Sequence, residues 1–337
     1  MNRSFVFALS AIAVIVTCFV LPGLSAALSS PQDAKAKVEV STKSKKLGKK
    51  LRFVETKNFT WASSMSAGKT KIVSAGAEKA YKIFADHAGI NEWAKMWGNQ
   101  KCMAILVPAK RDYIRFNKWF AENYKVWSKK QWPINKDLAD YYCESAARRI
   151  MTTYVKPNSD AHVRAIITHL TGHMLVLRYK FHNNFVPPWL EEGMAVYMEA
   201  RVNKKHACKC FNDPYGSVAV DPNDPVAGYP TAKWKVATKK ASKKGKLKSI
   251  KAMMRVRLAE LELADAQKAY ATVSWMMSQD KKCAEFIAAM KRAWPREIAM
   301  EYETGHGEAQ AKAFKEVFGM SLPEVDKAIA KHIAKKL

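Results

Sequence analysis

Apolar residues fill the chain from 5 to 21 in an almost unbroken run, and no later stretch repeats it. From 28 to 50 the pattern inverts to Ala, Ser and Lys with little apolar content, which reads as a flexible basic linker. Mixed β-branched and aromatic residues from 51 to 60 predict a first strand. Ala77, Ala80, Tyr81 and Phe84 fall at helical spacing and predict a helix over 74–87. Met103 to Val107 is a short apolar run ended by Pro108, the pattern of a buried strand. Tyr113, Phe116 and Phe120 define one side of a helix over 111–124. A strand over 148–155 closes at Pro157-Asn158-Ser159-Asp160, a turn that also offers helix caps. The next helix runs to about 179. Asn183, Asn184, Pro187 and Pro188 then break the chain before another over 189–202.

Beyond that lie a loop rich in Pro, Gly and Asp (208–230) and a lysine tract (233–251), read as a solvated basic loop. From 247 to 337 the periodicity is helical throughout. Ser321 and Glu324 form a capping box, and Gly319 stops the helix before it. No internal repeat is present. The pattern predicts an α+β protein with a mixed α/β first half and an all-helical second half. Its expected divisions are 1–27, 28–50 and 51–337, the last comprising 51–202, a loop and lysine tract over 203–246, and helices over 247–337.

The apolar start changes meaning once its flanks are considered. Arg3 precedes the run, and Ser25-Ala26-Ala27 follow it, so segment 1–27 is expected to be a signal peptide cut after Ala26 or Ala27. An uncleaved anchor is the alternative, although the run is short for a membrane-spanning helix. The expected location is periplasmic or secreted. Against 30 acidic residues stand 57 Lys and Arg, a net charge of +27. This implies attraction to an anionic cell-envelope polymer, a membrane surface or acidic proteins, and says little about fold. Nucleic acid is disfavoured, because the lysine tract carries one aromatic residue, Trp234, and no arginine. Beyond the signal lie Cys102, Cys143, Cys208, Cys210 and Cys283, an odd number, so one thiol stays unpaired within a monomer. Cys208 and Cys210 lack zinc-knuckle spacing and are expected in disulfides, with Cys143 or Cys283 as partners.

The residues richest in chemistry are His169-Leu170-Thr171-Gly172-His173 and Trp189-Leu190-Glu191-Glu192-Gly193. Histidines at i and i+4 share a helix face, so both imidazoles can meet one metal ion. That pair alone is a weak signal. Glu192 at the start of a following helix makes it specific. The two segments resemble the active-site helices of gluzincin metallopeptidases, in particular the peptidase MA-like family, over about 160–202. The resemblance implies a zincin-like fold, with one zinc ion held by His169, His173 and Glu192. Gly193, Ala195 and Tyr197 match the pattern around the third ligand.

Leu170 departs from that family pattern. The family places there a glutamate that takes a proton from metal-bound water and returns it to the leaving amine. Leucine exchanges no proton. Glu191 is expected on a different helix face from Glu192, and Glu199 on the same face but ~10 Å further along the axis, so neither is placed to act as base. The resemblance also makes Tyr270 the candidate for stabilising an oxyanion; the competing role is a core tyrosine with its hydroxyl satisfied. Three readings follow. The first is an exported pseudopeptidase that keeps the ligand triad and binds a peptide or a protein partner. The second is an active zinc hydrolase using another base. The third is a basic envelope-binding protein with a vestigial cleft. Oligomeric state is not encoded in any of these features.

Overall fold

The computed structural model describes residues 50–91, 96–98, 100–124, 143–145, 150–156, 159–180, 186–206, 229–257, 260–293 and 305–337. The expected signal peptide, almost all of the basic linker, and Cys208 and Cys210 with their expected disulfides lie outside them.

Five strands make one sheet: β1 (Arg52–Glu55), β2 (Phe59–Ser63), β3 (Cys102–Ala109), β4 (Cys143–Ser145) and β5 (Ile150–Lys156), in the order β1-β2-β3-β5-β4. The centre is parallel, with Trp61 opposite Ala104 and Ile105 opposite Thr152. Both edges are antiparallel. Every residue of β2 is buried, as is β3 from Cys102 to Val107. This explains why these strands read as continuous apolar runs rather than alternating ones.

The single strand expected over 51–60 is in fact two. Thr56 N–H donates to the Phe59 carbonyl at 2.9 Å, and Trp61 Nε1–H donates to Thr56 Oγ1 at 3.2 Å. The chain therefore turns at Lys57-Asn58, and Glu78 holds the turn by accepting from the Asn58 backbone and side chain.

Between β2 and β3 runs α1 (Ala67–Ala88), seven residues longer at its start than the apolar spacing alone predicts because Ser66 caps Lys69. Helix α2 (Lys110–Tyr124) follows β3 and packs on β3 and β5. Then come α3 (Asp160–Arg178), capped by Ser159, and α4 (Pro188–Asn203), opened by the Pro187-Pro188 break. A short ladder pairs β6 (Lys205–His206) with β7 (Tyr229–Pro230). After it, every described element is a helix: α5 (Thr231–Lys243), α6 (Ile250–Met253), α7 (Leu263–Met277), α8 (Lys282–Ala293), α9 (Gly305–Phe318) and α10 (Leu322–Lys336). The arrangement is mixed α/β, with the sheet on the N-terminal side.

The lysine tract is thus largely helix, not loop. Trp234 and Thr238, four residues apart, are buried on one side of α5 and bind it to the rest of the molecule. The capping box at Ser321 and Glu324 is present, and Gly319, at φ 69°, ends α9. Cys283 is a fully buried thiol that forms no disulfide, and burial raises its pKa.

Two helices occupy the middle. Every residue of α3 from Ala165 to Val176 is buried, and so is nearly all of α4. α3 packs against α1, β5 and α4, while α7 covers the other side of α4. No described helix is long and apolar enough to cross a membrane.

Candidate metal centre

Two glycines set how closely the central helices approach. A Cβ on Gly172 of α3 would lie 2.5 Å from Ala195 Cα of α4. A Cβ on Gly193 of α4 would lie 2.7 Å from the Ala269 carbonyl oxygen of α7. Real side chains do not tolerate such distances, so both positions require glycine for the helices to touch. The contacts seat α4 firmly between α3 and α7, which fixes Glu192, the neighbour of Gly193.

Across the α3–α4 contact, His169, His173 and Glu192 come together. One ligand atom from each lies within 4.8 Å of the others, and all three side chains are buried. Glu192 Oε2 is 3.6 Å from His169 Nε2 and 3.7 Å from His173 Nε2. These separations exceed an ordinary hydrogen bond of about 2.7–3.2 Å. They are close to the edge of a tetrahedron of ligands around zinc, about 3.3–3.4 Å for bonds of 2.0–2.1 Å. The imidazole rings stand nearly edge to face, 4.8 Å between centroids. A carboxylate buried beside two imidazole nitrogens at this spacing fits a divalent cation.

The far nitrogens are engaged as well. His169 Nδ1 lies 3.3 Å from Glu199 Oε2, and His173 Nδ1 lies 3.1 Å from Glu191 Oε1. Such a carboxylate holds the proton on Nδ1, turns the Nε2 lone pair towards the metal position and raises the basicity of the ligand. The pairings 169 with 199 and 173 with 191 run in opposite directions along the two helices, so α3 and α4 cross antiparallel. Neither glutamate shares the metal side with Glu192, as expected, but each has a role that the spacing did not suggest: it reaches a ligand histidine from behind. The sequence carried a signal for one of them, since Glu192 and Glu199, seven residues apart, share a face.

Leu170 is completely buried and belongs to the apolar core. Tyr270 sits on α7, almost fully buried, with its ring edge-on to Trp234 at 6.5 Å. Burial pushes its phenol up to about 12; neighbouring Tyr197 adds to the shift and Arg201 opposes it. It therefore remains a neutral hydrogen-bond donor at physiological pH.

Lys291 of α8 supports the site from behind, a structural role that no sequence pattern marks. Its buried ammonium donates to the carbonyls of Val176, Leu177, Tyr179 and Lys180 at 2.7, 3.0, 3.0 and 3.2 Å. These include the last-turn carbonyls that a helix leaves without partners. Lys291 thus locks the C-terminus of the helix that carries both histidines. Burial pushes its pKa down to about 7; nearby Glu191 opposes that shift and Arg178 reinforces it.

Compared with known proteins, the chain matches no protein-family model and no curated protein. The cluster of His169, His173 and Glu192 is not by itself diagnostic of any one family.

Proposed function

We propose that the chain is a gluzincin-like pseudopeptidase, a zincin-type protein that holds one zinc ion through His169, His173 and Glu192 and binds a peptide or protein partner without hydrolysing it. The observation that carries this reading is the convergence of three buried ligand groups, two of them backed by carboxylates, beside a leucine where a base is required. Two nitrogens and one oxygen form a donor set that suits zinc. When bound, such an ion supplies Lewis acidity and lowers the pKa of water. The sheet with antiparallel edges, followed by helices, is compatible with a zincin-like architecture.

The rival reading, an active hydrolase with a substitute base, loses its two nearest candidates. Glu191 and Glu199 sit against the Nδ1 atoms, on the side of each imidazole away from Glu192. A base removed from a peptidase typically costs on the order of 10²–10⁴ in rate.

Two measurements test the proposal. Protein purified without a histidine tag and exposed to zinc is expected to hold about one equivalent, lost in His169→Ala and Glu192→Ala. Less than a tenth of an equivalent in the unaltered chain overturns metal binding. On a broad peptide library, Leu170→Glu is expected to gain chelator-sensitive cleavage that the natural chain lacks. Equal chelator-sensitive cleavage by both proteins overturns the pseudopeptidase reading.

A further inference from the structure

The densest charge in the described molecule lies away from the metal centre. Between 231 and 257 there are eleven Lys and Arg and no Asp or Glu. On α5, with Trp234 and Thr238 turned inward, the exposed positions are Lys233, Val236, Lys240 and Lys243, and exposed Lys244 follows the helix end. Spacings of three, four and three place the four helical positions along one outward stripe. α10 packs against α5. Its exposed lysines 327, 331 and 335 recur every four residues and form a second stripe. The two helices are neighbours there, and Lys235 of α5 and Lys336 of α10 both help lower the pKa of His332, after burial as the main cause.

Two nearby carboxylates are held by internal bonds, and a third, Glu324, offsets charge at Lys327 at the start of the α10 stripe. Asp265 accepts from Lys248 at 2.8 Å, and Asp326 accepts from Lys268 at 2.6 Å and from the Ile250 backbone at 3.0 Å. Glu324 caps Ser321. Among the described residues, no carboxylate forms an ion pair with the exposed lysines of the two stripes.

We propose that the α5–α10 face is a docking surface for an anionic lipid bilayer. Lysine ammonium groups gain from the negative potential of such a leaflet without needing a defined partner geometry. Val236, 66% exposed in the middle of the α5 stripe, offers an apolar contact that the interface of a bilayer accepts. Single-stranded nucleic acid is served less well: the one aromatic residue of α5, Trp234, is buried, so no ring is presented for base stacking.

The test is lysine acylation footprinting on the full chain. Vesicles of phosphatidylcholine with one third phosphatidylglycerol are expected to slow modification of lysines 240, 243, 331 and 335 at least threefold. Pure phosphatidylcholine vesicles should leave them unchanged, and Lys71 and Lys79 of α1 should be unaffected by either. Each lysine at an anionic leaflet adds roughly fivefold to partitioning. The triple change Lys240→Gln, Lys243→Gln and Lys244→Gln should therefore raise at least tenfold the vesicle concentration that half-protects lysines 331 and 335. A control triple of equal charge, Lys71→Gln, Lys79→Gln and Lys118→Gln, should raise it less than threefold. Equal shifts from both triples, or no protection by anionic vesicles, overturn the proposal. So does equal protection by duplex DNA at the same phosphate concentration, which would identify the surface as a general polyanion site.

Discussion

At the scale of single residues, the two imidazoles are held from both sides. Each has its Nε2 towards Glu192 and its Nδ1 against another glutamate, so its orientation is set before any ion arrives. Losing a carboxylate behind a ligand histidine usually weakens metal affinity by 10–100-fold. Glu199→Gln and Glu191→Gln are therefore each expected to weaken zinc binding by about tenfold or more, measured by competition with a chromophoric chelator. The fully buried Glu199 should have the larger effect. Unchanged affinity in both would mean that the carboxylates do not orient the ligands. Gly193 makes a second demand. Gly193→Ala forces a methyl group against the α7 backbone, where no flexible side chain can give way. Overpacking of this kind costs about 1–3 kcal/mol, and denaturant unfolding of the metal-free protein should show that loss. The ligand triad was legible in the sequence because i, i+4 spacing and a glutamate after a Pro-Pro break are local patterns. The roles of Glu191 and Glu199 depend on the antiparallel crossing of two helices, which no local spacing encodes.

At the scale of elements, α3 is a helix buried on all sides whose C-terminal carbonyls would lie in the interior without partners. Lys291, 111 residues or more away in sequence, supplies the donor. Lys291→Met keeps the aliphatic stem and removes the ammonium. Leaving buried acceptors without a charged donor should cost about 2–3 kcal/mol, seen as a lower urea midpoint, and Lys291→Arg should recover part of it. No loss in Lys291→Met would show that water serves these carbonyls equally well. A lone lysine on a predicted helix gives no warning of such a role. Its neighbours Ala288, Ala289 and Met290 mark only an apolar face, and the distant helix end that it meets is set by the fold. The lysine tract was misread for a related reason. Among the described side chains of α5 only Trp234 and Thr238 are buried, too few for a 3.6-residue apolar period to stand out. The hairpin of β1 and β2 was merged because its turn residues, Lys57 and Asn58, interrupt the β-forming pattern only briefly.

Across the whole molecule, burial has a consistent effect on histidines away from the metal centre. His87 on α1, His162 on α3 and His332 on α10 all have pKa values lowered from 6.5, with loss of hydration as the leading cause. The unfolded chain then binds more protons than the native state as the solution is acidified below 6.5, so acid favours unfolding. Their contribution to stability is complete above about pH 6.5 and is lost as pH falls through the lowered native values. Carboxylates titrate mainly below that window. Metal-free protein, prepared with chelator so that metal release does not enter, should therefore have a lower urea midpoint at pH 5 than at pH 7. Replacing His87 and His162 with Gln should flatten this dependence, because glutamine takes up no proton. His332 is pushed further in the same direction by Lys336 and Lys235. Ser274 Oγ lies 3.0 Å from its Nε2, and a hydroxyl can accept from the protonated ring as well as donate to the neutral one. A midpoint that is flat from pH 7 to 5 in the natural chain, or an unchanged slope in the double variant, would show that these rings open to water before the rest of the fold gives way.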